Sequence, residues 1–236
     1  MNIEDIRAEL ESDFRWRQGE LLFLQNQGAS LAEAEQETFR RAVVVLLYAH
    51  FEGFCKFALL VYVNEVNKAQ VKCHEASYAL AAASLADLFE ALRNPMKKCE
   101  IFHNTLPDET KLHRFARDRE FVERSNEFLG RTVAVPEKVV DTESNLKPIV
   151  LQKNLFRLGL PHDLFSLYEG TIHRLLETRN KIAHGISKEG LKRENYEELR
   201  NAVFIVMEQI VAEITTALRE KKYLRAVTLP EIVSAN

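Results

Sequence analysis

Between Ala42 and Val63 the chain is apolar on nearly every side, and only His50, Glu52 and Lys56 are strongly polar there. Such a stretch suits two places: the hydrocarbon core of a bilayer, or the centre of a helical bundle. The three polar residues lie at its middle. The uninterrupted apolar runs, 42–49 and 57–63, are too short to cross a membrane. The expectation is therefore a central bundle helix, with no membrane among the partners. The helix starts near Leu31 with the polar, amphipathic LAEAEQETFRR, so it runs from solvent into the core.

The remaining segments follow the same helical period. Residues 3–26 place Ile3, Ile6, Leu10, Phe14, Leu21 and Leu24 on one face, with Asn2 as cap and a turn at 28–30. Residues 76–93 form an Ala- and Leu-rich helix ended by Asn94-Pro95. Within 111–131 a helix mixes five arginines with Phe115, Phe121 and Phe128. Asp118, Glu120, Glu123 and Glu127 offset that charge, so a solvated amphipathic helix is preferred to a single-strand nucleic-acid binder. Residues 132–145 read as a loop, 146–158 as a helix stopped by Gly159 and Pro161, and 164–183 as a helix capped by Asp163. The last helix, 193–221, carries Tyr196, Leu199, Val203, Val206, Ile210, Ile214 and Ala217 on one face. An extended tail containing Pro230 follows from Tyr223. The fold class is all-α: one domain over 1–236, a bundle of long antiparallel helices with additional helices inserted in the middle.

Composition narrows the function. Apolar residues are 46% and charged residues 28% of the chain, as in a globular protein. Eight Gly and six Pro are too few for a turn-rich β fold. The net charge of −3 offers no broad basic field, so any nucleic acid must be held by a local patch. Cys55, Cys73 and Cys99 have neither disulfide nor zinc spacing, and His50, His74, His103 and His113 have no mutual ligand spacing, so no metal is expected. No Gly-rich phosphate loop is present, and no cofactor is implied. The acidic, amphipathic N-terminus is unlike an export signal, which together with the cysteines points to the cytoplasm.

The unusual residue is Arg179, in LLETRNKIAHGIS (175–187). Ile172, Leu175, Leu176, Ile182 and Ala183 lie on one side of the helix, and Arg179 is centred on that stripe. Desolvating a cation costs several kcal/mol unless a partner or an interface satisfies it. His184 is turned roughly 140° away, and Gly185 is a stop signal. Arg-x-x-x-x-His also occurs at Arg157 and His162, but across a helix stop and a turn, and that copy reads as a decoy.

Arg179-Asn180-x-x-x-His184 at a helix end resembles the signature of the HEPN superfamily of helical ribonucleases and nucleotide-binding domains. LLYAHFEGFCK (46–56) resembles the early helix of bacterial HEPN proteins from toxin and defence loci. RNKIAHG, its polar connector and the helix beginning near Asn195-Tyr196 resemble their last helix pair. The likeness covers 35–66 and 142–221. The HEPN core is accordingly set at about 31–66 and 142–221, with 67–141 as insertion or accessory helices. The resemblance implies a homodimer that cleaves an RNA substrate without metal, the Arg and His of two protomers meeting across a two-fold axis. It implies His184 for proton transfer, Arg179 for the scissile phosphate and Asn180 for a hydrogen bond, with Glu52 and Lys181 as supporting candidates. It also implies a toxin–antitoxin or phage-defence setting, with an antitoxin or defence-system protein as partner. Blander roles stand beside these. His184 is also explained as a helix-end histidine on the dipole, Arg179 as an ion-pair partner of Glu52, and Glu52 as a partner of Lys56. The alternative function is a non-catalytic HEPN-like module that binds RNA, a nucleotide or a partner protein.

Overall fold

A computed structural model describes residues 2–102, 106–107 and 110–226. His103 and the tail beyond Ala226, with Pro230, lie outside the described residues. Among these residues the secondary structure is all-α apart from two isolated bridges, Lys72 with Thr132 and Ala76 with Leu224.

Four long helices make the bundle: α1 (Ile3–Gly28), α2 (Glu33–Lys68), α8 (Glu169–Ala183) and α9 (Arg193–Arg219). Asn2 caps α1 by accepting from the Glu4 N–H, and Ile6, Leu10, Phe14 and Leu21 turn inward at helical spacing. α2 packs against α1, α8 and α9 at once, which is why it is apolar all round. Leu47, Phe51, Phe54 and Leu59 on α2 are fully buried. Each contributes about 1.5–3 kcal/mol relative to exposure. α2 and α9 are long and apolar enough to cross a membrane by length and composition alone, yet 56% of each apolar window is buried inside the bundle.

Between α2 and α8 lie α3 (Tyr78–Ser84), α4 (Ala86–Arg93), α5 (Lys111–Glu123), α6 (Ser125–Leu129) and α7 (Pro148–Arg157). The helix expected over 76–93 is two helices. Leu85 leaves helical geometry at φ −96° and ψ 15°, and is buried there. Beside it the Ser84 hydroxyl accepts from the Ala134 N–H at 2.9 Å. The segment 111–131 divides likewise at Arg124. α8 starts at Glu169, not 164, and Asp163 does not cap it. Phe165 is buried in a non-helical conformation, and a 3-10 turn over Ser166–Tyr168 leads into the helix.

A polar cluster joins α1 to α2. Arg17 pairs with Asp13 at 2.6 Å, and His50, buried on α2, has Nε2 2.8 Å from Glu20 Oε2, off the line of a hydrogen bond. Burial holds the His50 pKa below its ordinary value; Glu20 opposes that shift and Arg17 reinforces it. Cys55, Cys73 and Cys99 are free thiols, and burial raises the pKa of Cys55.

Candidate active site at the end of α8

The last turn of α8 runs out past the packed face. Ile172, Leu175 and Leu176 are buried, Ile182 is half-buried and still packs against the core, and Ala183 is exposed, so the expected stripe thins out toward the helix end. Arg179 is half-buried at the boundary. Its guanidinium carbon stands 4.7 Å from the centroid of the Tyr48 ring on α2. Its Nη1 donates to Asn180 Oδ1 at 2.8 Å.

Among the described residues Arg179 forms no ion pair, and the pairing with Glu52, one of the readings open from the sequence, is not among its contacts. Glu52 forms none with Lys56 either. The half-buried Glu52 carboxylate instead faces Tyr48, one helical turn before it on α2. Burial first and Glu52 second push the Tyr48 pKa up, while Arg179 draws it down. The phenol therefore keeps its proton and donates to Asn145 Oδ1 at 2.9 Å.

His184 caps α8 and is exposed. Its backbone N–H donates to the Asn180 carbonyl at 3.0 Å, so Asn180 is tied through its side chain to Arg179 and through its backbone to His184. Gly185 follows at φ +67°, a left-handed conformation that L side chains rarely adopt. It donates to the Ile182 carbonyl, and Ile186 donates to the Lys181 carbonyl at 2.8 Å. These two bonds make a Schellman end to the helix. Lys181 thus serves the helix end through its carbonyl, while its side chain is exposed.

The connector after Gly185 is tied to the start of α2. Arg41 Nη2 donates to the Ser187 carbonyl at 2.6 Å, Arg40 Nε donates to the Leu191 carbonyl at 2.8 Å, and Leu191 N–H donates to the Glu37 carbonyl at 2.9 Å. Gly190 fits because a Cβ there would stand 2.5 Å from the Glu37 Cβ. The second Arg-x-x-x-x-His copy lies at the end of α7, where Arg157 and His162 are both exposed and the His162 ring meets Phe156 edge-on.

A groove of about 500 Å³ between α1 and α9, floored by Phe14 and Val211, and another of about 270 Å³ by Arg40 and Tyr196 are lined by neither Arg179 nor His184. Among the described residues no His, Cys, Asp and Glu group is placed to hold a metal ion.

A family model for MAE_28990-like HEPN domains matches residues 6–223. The chain belongs to the HEPN superfamily. The match extends from within α1 to just past the end of α9. No curated protein and no solved structure matches the chain.

The residues that sequence reasoning missed are Tyr48, Asn145 and the Arg40–Arg41 pair. Tyr48 looked like one more apolar residue of α2, and Asn145 like one of several polar residues in a loop. No local signal joins them to Arg179.

Proposed function

We propose that this HEPN protein is a metal-independent endoribonuclease, acting as a homodimer and cutting RNA through attack of the 2′-hydroxyl on the adjacent phosphorus. The observation that carries this reading is the state of Arg179. It is a half-buried cation held by a ring face and a neutral amide, with no carboxylate partner among the described residues. Such a guanidinium keeps in-plane N–H donors for a phosphate, which it grips as a fork in a way that lysine cannot.

The chemistry needs a base at the 2′-oxygen, an acid at the 5′-oxygen and positive charge on the phosphorane. A single His184 fills one proton-transfer role. Two protomers related by a two-fold axis supply a base and an acid, together with two Arg179 side chains. The 2′-oxygen bonds to phosphorus as one His184 takes its proton. The bond to the 5′-oxygen breaks as the other His184 donates one, leaving a 2′,3′-cyclic phosphate and a 5′-hydroxyl. Asn180 orients Arg179 by accepting from Nη1. The exposed helix-end placement of His184 suits a role between protomers. A toxin–antitoxin or phage-defence setting, with a partner protein restraining the nuclease, is the cellular context we propose.

The test is cleavage of a broad RNA set with EDTA present, by wild type and by His184→Ala checked for fold and oligomeric state. Cleavage by wild type alone, leaving cyclic-phosphate ends, is expected. Retained RNA affinity without cleavage by either protein would replace the nuclease with a binding module. Equal cleavage by both would remove His184 from the chemistry.

A further inference from the structure

We infer that Tyr48 is the positioning residue for the Arg179 guanidinium, and that Asn145 holds Tyr48 at the height this role requires. The inference rests on the reading of Arg179 as the phosphate clamp.

A cation at a bundle edge is ordinarily held by a carboxylate. That arrangement would occupy the donors that a phosphate needs. An aromatic face attracts the same cation through its quadrupole and leaves the in-plane N–H groups free. At 4.7 Å from the ring centroid, Arg179 is within range of this attraction. Glu52, on the next turn of α2, faces Tyr48 and forms no ion pair with Arg179.

The platform is itself fixed. Tyr48 is 1% exposed, and its hydroxyl donates to Asn145 Oδ1. Asn145 follows two residues in left-handed conformation, Glu143 at φ 50° and Ser144 at φ 61°. Its N–H donates to the Thr142 carbonyl at 2.9 Å, and its carbonyl accepts from Lys147 N–H at 2.7 Å. This costly turn presents one amide oxygen to one buried phenol. A purely space-filling residue would need neither the hydroxyl nor the turn.

The experiment is a double-mutant cycle on single-turnover RNA cleavage, with Tyr48→Leu, Tyr48→Phe, Arg179→Ala and the Tyr48→Leu/Arg179→Ala pair. A second readout is the ring-current shift of the Arg179 Nε–H proton. We expect Tyr48→Leu to lower the maximal rate by about tenfold, with the concentration for half-maximal rate within about twofold. Tyr48→Phe keeps the ring but loses the bond to Asn145, so it should shrink the ring-current shift and lower the rate, by less than Tyr48→Leu does; a wild-type rate and shift would remove Asn145 from the inference. In the Arg179→Ala background, Tyr48→Leu should cost nothing further, because the group it positions is gone. Equal losses in both backgrounds would make Tyr48 merely structural and overturn the inference, as would an unshifted Arg179 proton. Should Arg179→Ala cut as fast as wild type, the clamp reading falls and the positioning role with it. In that case the ring-current shift still reports separately on the geometry.

Discussion

The Arg179 guanidinium carbon lies 4.7 Å from the ring centroid of Tyr48, a buried side chain on the neighbouring helix. This contact answers the difficulty that the sequence posed, a cation centred on an apolar stripe. The charge is held by an aromatic face at the edge of the bundle, not neutralised by Glu52 inside it.

Arg179→Lys is expected to fold and dimerise normally and to lose most of its cleavage, because lysine keeps the charge but not the planar fork. Arg179→Ala should lose about 10²–10³ in rate, the usual consequence of removing one donor aimed at developing negative charge. Single-turnover rates beside melting temperatures check this. Unchanged cleavage by Arg179→Lys would end the phosphate-clamp role.

The second Arg-x-x-x-x-His copy supplies a control. Arg157 is exposed at the end of α7, and His162 is exposed in the turn that follows it. The Arg157→Ala/His162→Ala double variant is expected to cut RNA within about twofold of wild type and to melt at nearly the same temperature, as surface changes usually do. A severe loss of cleavage would show that this copy belongs to the site.

Gly190→Ala should loosen the connector that follows His184. The added methyl would meet the Glu37 Cβ at 2.5 Å and the Glu37 backbone at 3.2 Å. Overpacking of this kind costs about 1–3 kcal/mol. We expect a lower melting temperature and faster hydrogen exchange at Leu191, whose N–H donates to the Glu37 carbonyl. Unaltered exchange there would show that the connector absorbs the methyl without moving.

Stability should fall on mild acidification because of His50. Its folded pKa is depressed below the ordinary 6.5, chiefly by burial. Between the two values the unfolded chain binds the extra proton, so stability is full above about 6.5 and is lost as pH falls toward the folded pKa. His50→Gln should lower stability at pH 7.5 while flattening the decline toward pH 5. Urea midpoints at the two pH values measure both effects. An equally steep decline in His50→Gln would assign the acid sensitivity to other groups.

The long helices were legible because burial writes a period into the chain. Residues 42–63 of α2 are apolar all round because α1, α8 and α9 surround them, and a central helix is the main soluble place for such a stretch. The break at Leu85 was not legible. There the Ser84 hydroxyl serves Ala134, a partner fifty residues on that leaves no mark in the local pattern. Asp163 had the right chemistry for a cap, but burial of Phe165 moved the helix start to Glu169.

Read alone, the chain determines an all-α bundle, a cation out of place at Arg179 and a histidine where its helix stops at Gly185. These are local matters of helical period and backbone conformation, set by neighbours within a few residues. Only the tertiary structure decides which group receives that cation. Tyr48 and Arg179 meet because α2 and α8 pack side by side, and Asn145 joins them through a turn from another part of the chain. Electrostatic partners are chosen by distance through space, which the order of residues along the chain does not encode.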